Sequence, residues 1–331
     1  MSIMTCNISG RRVSVVGGAG FLGSHLVNYL IEERGCKVLV IDNLVTGRIG
    51  FIHQDAEFEH YDITGSESHI RKLLTTYKTQ FVCNYAAEPY IPVSFERPIH
   101  VFNTNAFGAI KVINAAEEAG CEGILQVSSA EIYGGQAGKI NEDARVTPHS
   151  TYGASKAAID FLVQCRWKEA GTPCIAMRQF NCLGERETHP YVVPEIISQL
   201  APQQGMVNAK ILLGNNSRRD FQYAGDAVRM AVNLLERGEF GEVYNMGSES
   251  TIQIYDLAKT ISELMGFQSL SIVQDPARSR PWEIWHLQSD NTKLYSTITE
   301  RPKVSLKESL QRTIDYFRAN KDRWGWEHDA A

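Results

Sequence analysis

The 331-residue chain has no basic excess: Lys and Arg total 33 against 38 Asp and Glu, a formal charge of −5. General nucleic-acid binding needs a positive surplus and is excluded. Any anionic ligand must be held by local positive groups rather than by the overall field. No apolar run approaches the roughly 18 residues of a membrane-spanning helix, and Met1–Arg12 lacks the apolar centre of a signal peptide. No CxxC pair occurs among the seven scattered cysteines, Cys6, Cys36, Cys83, Cys121, Cys165, Cys174 and Cys182. Their odd number and dispersion argue against a disulfide framework and against structural zinc, so a reduced, cytoplasmic, metal-free protein with no membrane partner is expected. Internal repeats and low-complexity tracts are also missing. What is there, 43% hydrophobic and 21% charged, suits an ordinary folded chain of one large or two unequal domains.

The first half alternates strand-like and helix-like stretches. Strands are predicted over Arg12–Val16, Lys37–Asp42, Glu57–Tyr61, Phe81–Tyr85, Gly123–Ser128 and Pro173–Arg178. Helices are predicted over Phe21–Arg34, Asn103–Glu118 and Tyr152–Ala170, with a long loop from the fourth strand to about Ile99. The run KVLVID has no polar alternation, as in a strand covered on both faces. This rhythm implies an α/β fold with a Rossmann-type, doubly wound parallel sheet. After Arg178 the rhythm breaks. Asn181–Val192 reads as a loop, and Pro194–Leu200, Asp226–Arg237 and Ile254–Met265 as helices. A strand at Val243–Asn245 could rejoin the first sheet. The expected division is a cofactor domain over 1–180, rejoined by about 220–246, and a smaller mixed α/β substrate domain over 181–219 and 247–331.

Gly17-Gly18-Ala19-Gly20-Phe21-Leu22-Gly23 follows the first strand and opens the first helix. Glycines at 17, 20 and 23 permit a tight turn, close approach of backbone to a pyrophosphate, and close helix–strand packing. The helix N-terminus offers free N–H groups and partial positive charge. Asp42 ends the next strand, 19 positions past Gly23. An acid there accepts from both adenosine-ribose hydroxyls and repels a 2′-phosphate, which favours NAD over NADP. Nearby Arg48 could assist a 2′-phosphate. Phe21, Leu22, Asn43 and Ile63 are expected to border the same site. Asp62 is either a partner for the adenine amino group or a loop-capping acid.

Tyr152 and Lys156 stand four apart, on one face of a helix. A phenol is a poor base at neutral pH. A neighbouring ammonium and a cationic nicotinamide ring would stabilise the phenolate, which could then take a proton from a sugar hydroxyl. Both residues would also touch the cofactor. The strand end Val127-Ser128-Ser129-Ala130-Glu131 precedes them, and ligands of open α/β sheets sit at strand C-termini. Ser129 could hydrogen-bond the same sugar oxygen as Tyr152, although turn chemistry also accounts for such serines.

In combination, GGAGFLG, VIDNL, NYAAEP, FNTNAFGA, VSSAEIYGG, YGASK, RQFNCLGERE, RRDFQYAGD and RPWE resemble the extended short-chain dehydrogenase/reductase family, specifically its NAD-dependent nucleotide-sugar epimerases and dehydratases. The likeness runs from about Arg12 to Trp324. It implies catalytic Ser129, Tyr152 and Lys156, cofactor contacts at Ala86 and Ala87, and Asn105 as a buried polar support. It also implies that Asn181, Arg219 and Arg280 hold the substrate's diphosphate and that Glu283 binds the nucleotide ribose. Guanidinium groups suit phosphate because they donate paired hydrogen bonds. Val16 replaces the usual Thr. Asn84 and Glu88 replace the common His and Gln, which makes Glu88 a variable contact to the sugar, and Glu185 replaces a frequent Pro. The family also implies a homodimer built on the helices at Asn103–Glu118 and Tyr152–Ala170.

The resemblance implies a shared first step, oxidation of a sugar hydroxyl, usually at C4. Glu131 bears on the later steps, because in resembling dehydratases and decarboxylases a glutamate at this place transfers a proton at the neighbouring carbon. The plainer alternative is a turn cap. Ala130 stands where the dehydratases carry Asp or Ser, and it cannot donate a proton. Dehydration or decarboxylation through Glu131 is therefore expected. The alternatives are 4-epimerisation of the UDP-glucose or UDP-glucuronate type, a keto-sugar reductase, and a non-catalytic NAD-binding regulator. The intact Ser129, Tyr152 and Lys156 argue against the last.

Overall fold

A computed structural model describes residues 6–320. The first half runs β1 (Arg12–Val16), α1 (Phe21–Glu32), β2 (Lys37–Asp42), β3 (Glu57–His60), α2 (Glu67–Tyr77), β4 (Phe81–Asn84), α3 (Ile91–Glu96), α4 (Pro98–Phe102), α5 (Ala109–Glu118), β5 (Gly123–Ser129), α6 (Thr151–Ala170) and β6 (Cys174–Gln179). The second half runs β7 (Asn181–Leu183), α7 (Val192–Leu200), β8 (Asn208–Leu213), β9 (Arg218–Tyr223), α8 (Ala224–Arg237), β10 (Val243–Met246), β11 (Thr251–Gln253), α9 (Ile254–Leu264), β12 (Ser269–Gln274), β13 (His286–Leu287), α10 (Thr292–Thr297) and α11 (Leu306–Ala319).

Seven parallel strands form one sheet in the order β10-β6-β5-β4-β1-β2-β3. Val13, Val15, Val38 and Val40 pack on one face against Leu26, Val27 and Leu30 of α1 and against α8. Leu39, Ile41, Val82 and Ile124 pack on the other against α2, α5 and α6. Both faces are buried, which is why these strands lack polar alternation. The chain order reverses between β1 and β4, and a crevice opens there at the strands' C-terminal ends. A second core joins α7, α9 and α11 to β8 around Ile196, Leu200, Leu257, Ile261 and Ile314. Among the described residues, no helix is long and apolar enough to cross a membrane.

Three segments depart from the sequence expectation. Helix α2 fills a stretch given no element, burying Ile70, Leu74 and Tyr77 one turn apart while its other face stays polar. The predicted long loop holds α3 and α4, each with proline in its first turn, where a missing N–H costs nothing. Asn181–Leu183 is a strand paired in parallel with β9, not a loop. Residues beyond Asn320, including Trp324, lie outside the described residues.

A buried ion pair locks α6 to β6. Arg178 Nη2 donates to Asp160 Oδ2 at 2.7 Å, and both residues are almost fully buried. Arg178 Nη1 donates to the Tyr133 hydroxyl, which donates to Asn245 Oδ1 on β10, each at 2.7 Å. Asp160→Ala leaves the guanidinium unpaired and is expected to cost about 3–5 kcal/mol in urea unfolding. An Asp160→Leu/Arg178→Met double variant is expected to cost clearly less, since it removes both charges.

Candidate active site

A cavity of 940 Å³ lies over the sheet's C-terminal edge and extends between the two cores. Its floor is the glycine turn. Gly17 has φ 79°, and a Cβ on it would come within 2.6 Å of the Ala86 backbone nitrogen. A Cβ on Gly23 would sit 2.0 Å from the Gly17 carbonyl oxygen. Helix α1 starts at Gly20 with no side-chain cap and no acid in its first turn. Its leading N–H groups are therefore left for a ligand, and Gly20, Phe21, Leu22 and Gly23 line the cavity. Asp42 also lines it, with Oδ2 accepting from the Ala19 N–H at 3.0 Å and Oδ1 from Leu44 at 2.8 Å. Two backbone donors thus fix this carboxylate beside the turn. Asn43, Ile63, Ala86 and Ala87 complete this end. A bare backbone cradle, a free helix end and a fixed acid fit a dinucleotide.

Asp62 is exposed and does not line the cavity. Partial burial raises its carboxyl, but hydrogen bonds from Thr64 and Asn43 outweigh this and hold it below its ordinary value. It caps its loop through the Thr64 N–H and hydroxyl, at 2.8 and 2.7 Å. Asn105 also stands back from the cavity. It sits in a π-helical turn, Asn103–Gly108, between α4 and α5. Its Oδ1 accepts from the Glu88 N–H at 2.7 Å, and its Nδ2 donates to the Glu88 carbonyl at 3.1 Å and to Ser155 Oγ at 3.2 Å. The wider turn brings this amide inward, where it pins the Glu88 loop to α6.

Strand β5 ends at Ser129, whose Oγ accepts from the Glu131 N–H at 3.2 Å and hydrogen-bonds Tyr152. The serine therefore caps its turn and also touches the phenol. Ser128 donates to the Lys156 carbonyl instead. Ser150 caps α6 by accepting from the Gly153 N–H at 3.0 Å. Gly153 lets this helix approach the turn, since a Cβ there would meet the Glu131 carbonyl at 2.9 Å. Lys156 Nζ donates to the Val127 carbonyl at 3.1 Å and lies 5.9 Å from the centre of the Tyr152 ring. Burial pushes the Tyr152 phenol up to about 12, with the Ser129 hydrogen bond pulling the other way. Burial lowers the Lys156 ammonium to about 8. The protein alone therefore does not depress the phenol; a cation placed over it would have to do so.

Opposite stand the basic groups. Arg280 Nη1 lies 3.6 Å from Glu131 Oε1. Arg219 Nη2 donates to Glu283 Oε1 at 2.6 Å, and Asn215 donates to Glu283 Oε2 at 2.7 Å. Burial holds the Arg219 guanidinium below its ordinary value despite that partner. Asn181, on β7, faces the same space. The cavity thus brings together Glu88, Ser129, Glu131, Tyr152, Lys156, Asn181, Arg219, Arg280 and Glu283. Glu187, Tyr191 and Glu195 are among the lining residues that were not expected. Glu187 and Tyr191 come from a stretch with no periodicity, and Glu195 opens α7, where it pairs with His189 and Arg278. No spacing marks them, because only tertiary folding turns that loop inward.

The sequence model of the GDP-mannose 4,6-dehydratase family matches residues 15–313. The dTDP-D-glucose 4,6-dehydratase of Mus musculus is 31% identical over 327 residues, covering 95% of this chain and 90% of that protein. The UDP-glucose 4-epimerase of Thermotoga maritima, solved with UDP-glucose, is 25% identical at a TM-score of 0.86, covering 94% of this chain and 99% of that one. The UDP-glucose 4-epimerase of Thermus thermophilus, solved with NAD, is 26% identical at a TM-score of 0.84, covering 93% and 99%.

Proposed function

We propose, from the premise that the chain belongs to the extended short-chain dehydrogenase/reductase family of nucleotide-sugar epimerases and dehydratases, that it is an NAD-dependent enzyme removing water from a nucleoside-diphosphate hexose. A dTDP- or UDP-linked glucose is the substrate class that its relatives support. The observation carrying this reading is Glu131. It sets a carboxylate two residues past Ser129, in the cavity that holds the Ser129–Tyr152 pair.

In this reading the glycine turn, with Phe21 and Leu22, holds the NAD pyrophosphate. Asp42 takes the adenosine ribose. Asn43 and Ile63 border the adenine, and Asp62 fixes Asn43 by accepting from its amide at 2.9 Å. Asn181, Arg219 and Arg280 hold the substrate diphosphate, Glu283 the nucleotide ribose and Glu88 the sugar. Ser129 aligns the C4 hydroxyl and Tyr152 accepts its proton, with Lys156 supplying positive charge below the phenol. NAD, when bound, supplies the hydride acceptor at C4 and the hydride returned to the sugar. Glu131 removes the proton at C5, which the C4 ketone acidifies. A diphosphate would draw Arg280 away from Glu131 and leave that carboxylate free to act. The first sheet and its core then serve as the cofactor domain, and the second core as the sugar-nucleotide domain.

The same reading includes a homodimer. Phe107 in the π-turn and Phe161 on α6 are 56% and 51% exposed, on the two segments that such a contact would use, and Ile99 on the adjoining α4 is 78% exposed. All seven cysteines are unpaired, which supports a cytoplasmic setting.

A second reading, 4-epimerisation, is favoured by Ala130, which puts no acid beside Glu131 for a leaving hydroxyl. Product mass separates the two. With dTDP-, UDP-, GDP- and CDP-sugars and catalytic NAD, dehydration gives loss of water, whereas an isomer of unchanged mass would overturn it. Glu131→Gln is expected to slow water loss by about 10²-fold while transient NADH formation persists, read by stopped-flow absorbance.

A further inference from the structure

Elimination of water needs a proton donor as well as a base, because hydroxide is a poor leaving group. Among the described residues, six carboxyls line the cavity: Asp42, Glu88, Glu131, Glu187, Glu195 and Glu283. Five are already held. Asp42 accepts two backbone N–H groups, and Glu88 lies 3.8 Å from His100. Glu131 faces Arg280, Glu195 pairs with His189 and Arg278, and Glu283 pairs with Arg219. Glu187 differs. It is 3% exposed, and among the described residues its Oε2 has no hydrogen-bond partner.

The chain isolates this group. Arg186 takes the left-handed conformation, φ 67°, which costs a non-glycine residue roughly 1–2 kcal/mol. The kink separates the two flanking acids: Glu185 accepts from the Tyr223 hydroxyl, while Glu187 turns inward. The Arg186 guanidinium lies with Tyr316, Glu185 and Tyr223 instead of neutralising Glu187. Among the described residues, the groups facing Glu187 include the Gly184 backbone N–H, the Cys182 thiol and the Tyr191 phenol. None of these three is a cation, and burial pushes the carboxyl well above its usual range.

We propose that Glu187 is a catalytic acid of the elimination step, donating its proton to the departing C6 hydroxyl of the 4-keto sugar. The proposal rests on the dehydration reading above. Glu131 takes the C5 proton, the C5–H electron pair becomes the C5–C6 double bond, and the C6–O bond breaks. The hydroxyl leaves with the Glu187 proton as water, so Glu187 becomes a carboxylate. Glu131 then returns its proton to C5 as C6 takes up the hydride removed from C4 in the first step and held meanwhile on NAD. Over the cycle Tyr152 has gained the proton of the C4 hydroxyl and Glu187 has lost one. Tyr191, in electrostatic reach of both, carries the balance back. Glu187 thereby supplies what Ala130 cannot.

The test runs NAD-loaded enzyme on dTDP-glucose in deuterium oxide, following water loss and deuterium entry at C5 by mass spectrometry and NMR. Glu187→Gln is expected to slow water loss by about 10²-fold or more while the recovered sugar gains deuterium at C5, because Glu131 still works. Glu131→Gln is expected to lose both. Water loss at the wild-type rate in Glu187→Gln would overturn the proposal, and so would loss of exchange together with elimination. If the glutamine variant does not fold, Glu187→Asp keeps the acid but withdraws it by one methylene. It is expected to slow water loss and spare exchange, and equal slowing of both would overturn the assignment. Wild-type enzyme that yields only isomers would sink the dehydration reading itself, and this proposal with it.

Discussion

Tyr152→Phe is expected to lower turnover by about 10⁴-fold, the upper end for a positioned acid–base group, with the fold and NAD binding retained. The ring packs with Ile91 and Val101, contacts that phenylalanine keeps. What disappears is the hydroxyl that hydrogen-bonds Ser129 and would receive the sugar proton. Every later step depends on that first oxidation, so no other residue lining the cavity can compensate. A single-turnover experiment should show neither product nor transient NADH, and unchanged product formation would remove Tyr152 from the mechanism. The wild-type oxidation rate should also rise with pH through neutrality. A phenol near 12 is mostly protonated there, and its reactive fraction grows as pH increases. Lys156 has lost about half its charge by about 8, and its further loss above that should flatten the rise.

The sheet was readable because its physics is local. The apolar run of β2 and the glycine turn announce a strand buried on both faces and a phosphate cradle. Tyr152 and Lys156 were found by helical spacing, and Asp42 by its place at a strand end. Elements built from mixed residues were not legible. Helix α2 shows only three buried residues, and the prolines of α3 and α4 read as breaks although they start helices. The second core is assembled from β8, α7, α9 and α11, which lie far apart in sequence, so no single window reveals it. Arginines 219 and 280 carry no local sign of pairing with Glu283 and Glu131, since those contacts join β9 and the β5 turn to the segment after β12. Glu187 was invisible for the same reason. Burial of an acid in an aperiodic loop is decided by what folds over it.

Gly23→Ala should remove NAD from the purified protein almost completely, through packing alone. The added methyl would lie 2.0 Å from the Gly17 carbonyl oxygen, 2.8 Å from the Gly17 carbonyl carbon and 2.9 Å from the Gly18 Cα. All three are backbone atoms, so no rotamer change relieves the overlap, and either the turn opens or α1 shifts along its axis. Gly17 cannot give way easily, because its own position is set against Ala86 by a φ of 79°. Overpacking of this kind typically costs about 1–3 kcal/mol, occasionally more. A loss of about 3 kcal/mol falling on the bound state lowers affinity by about 10²-fold, since the same displacement misaims the α1 N–H groups. Cofactor content per chain and calorimetric NAD affinity measure the effect. Gly20→Ala, whose methyl would meet only the Gly17 oxygen at 3.3 Å, should lose far less, and Gly50→Ala, with nothing within 4 Å, should lose nothing. Equal NAD content across the three would mean that the turn is not the pyrophosphate cradle, and Asp42 would then have to be reread as a structural acid that fixes Ala19 and Leu44.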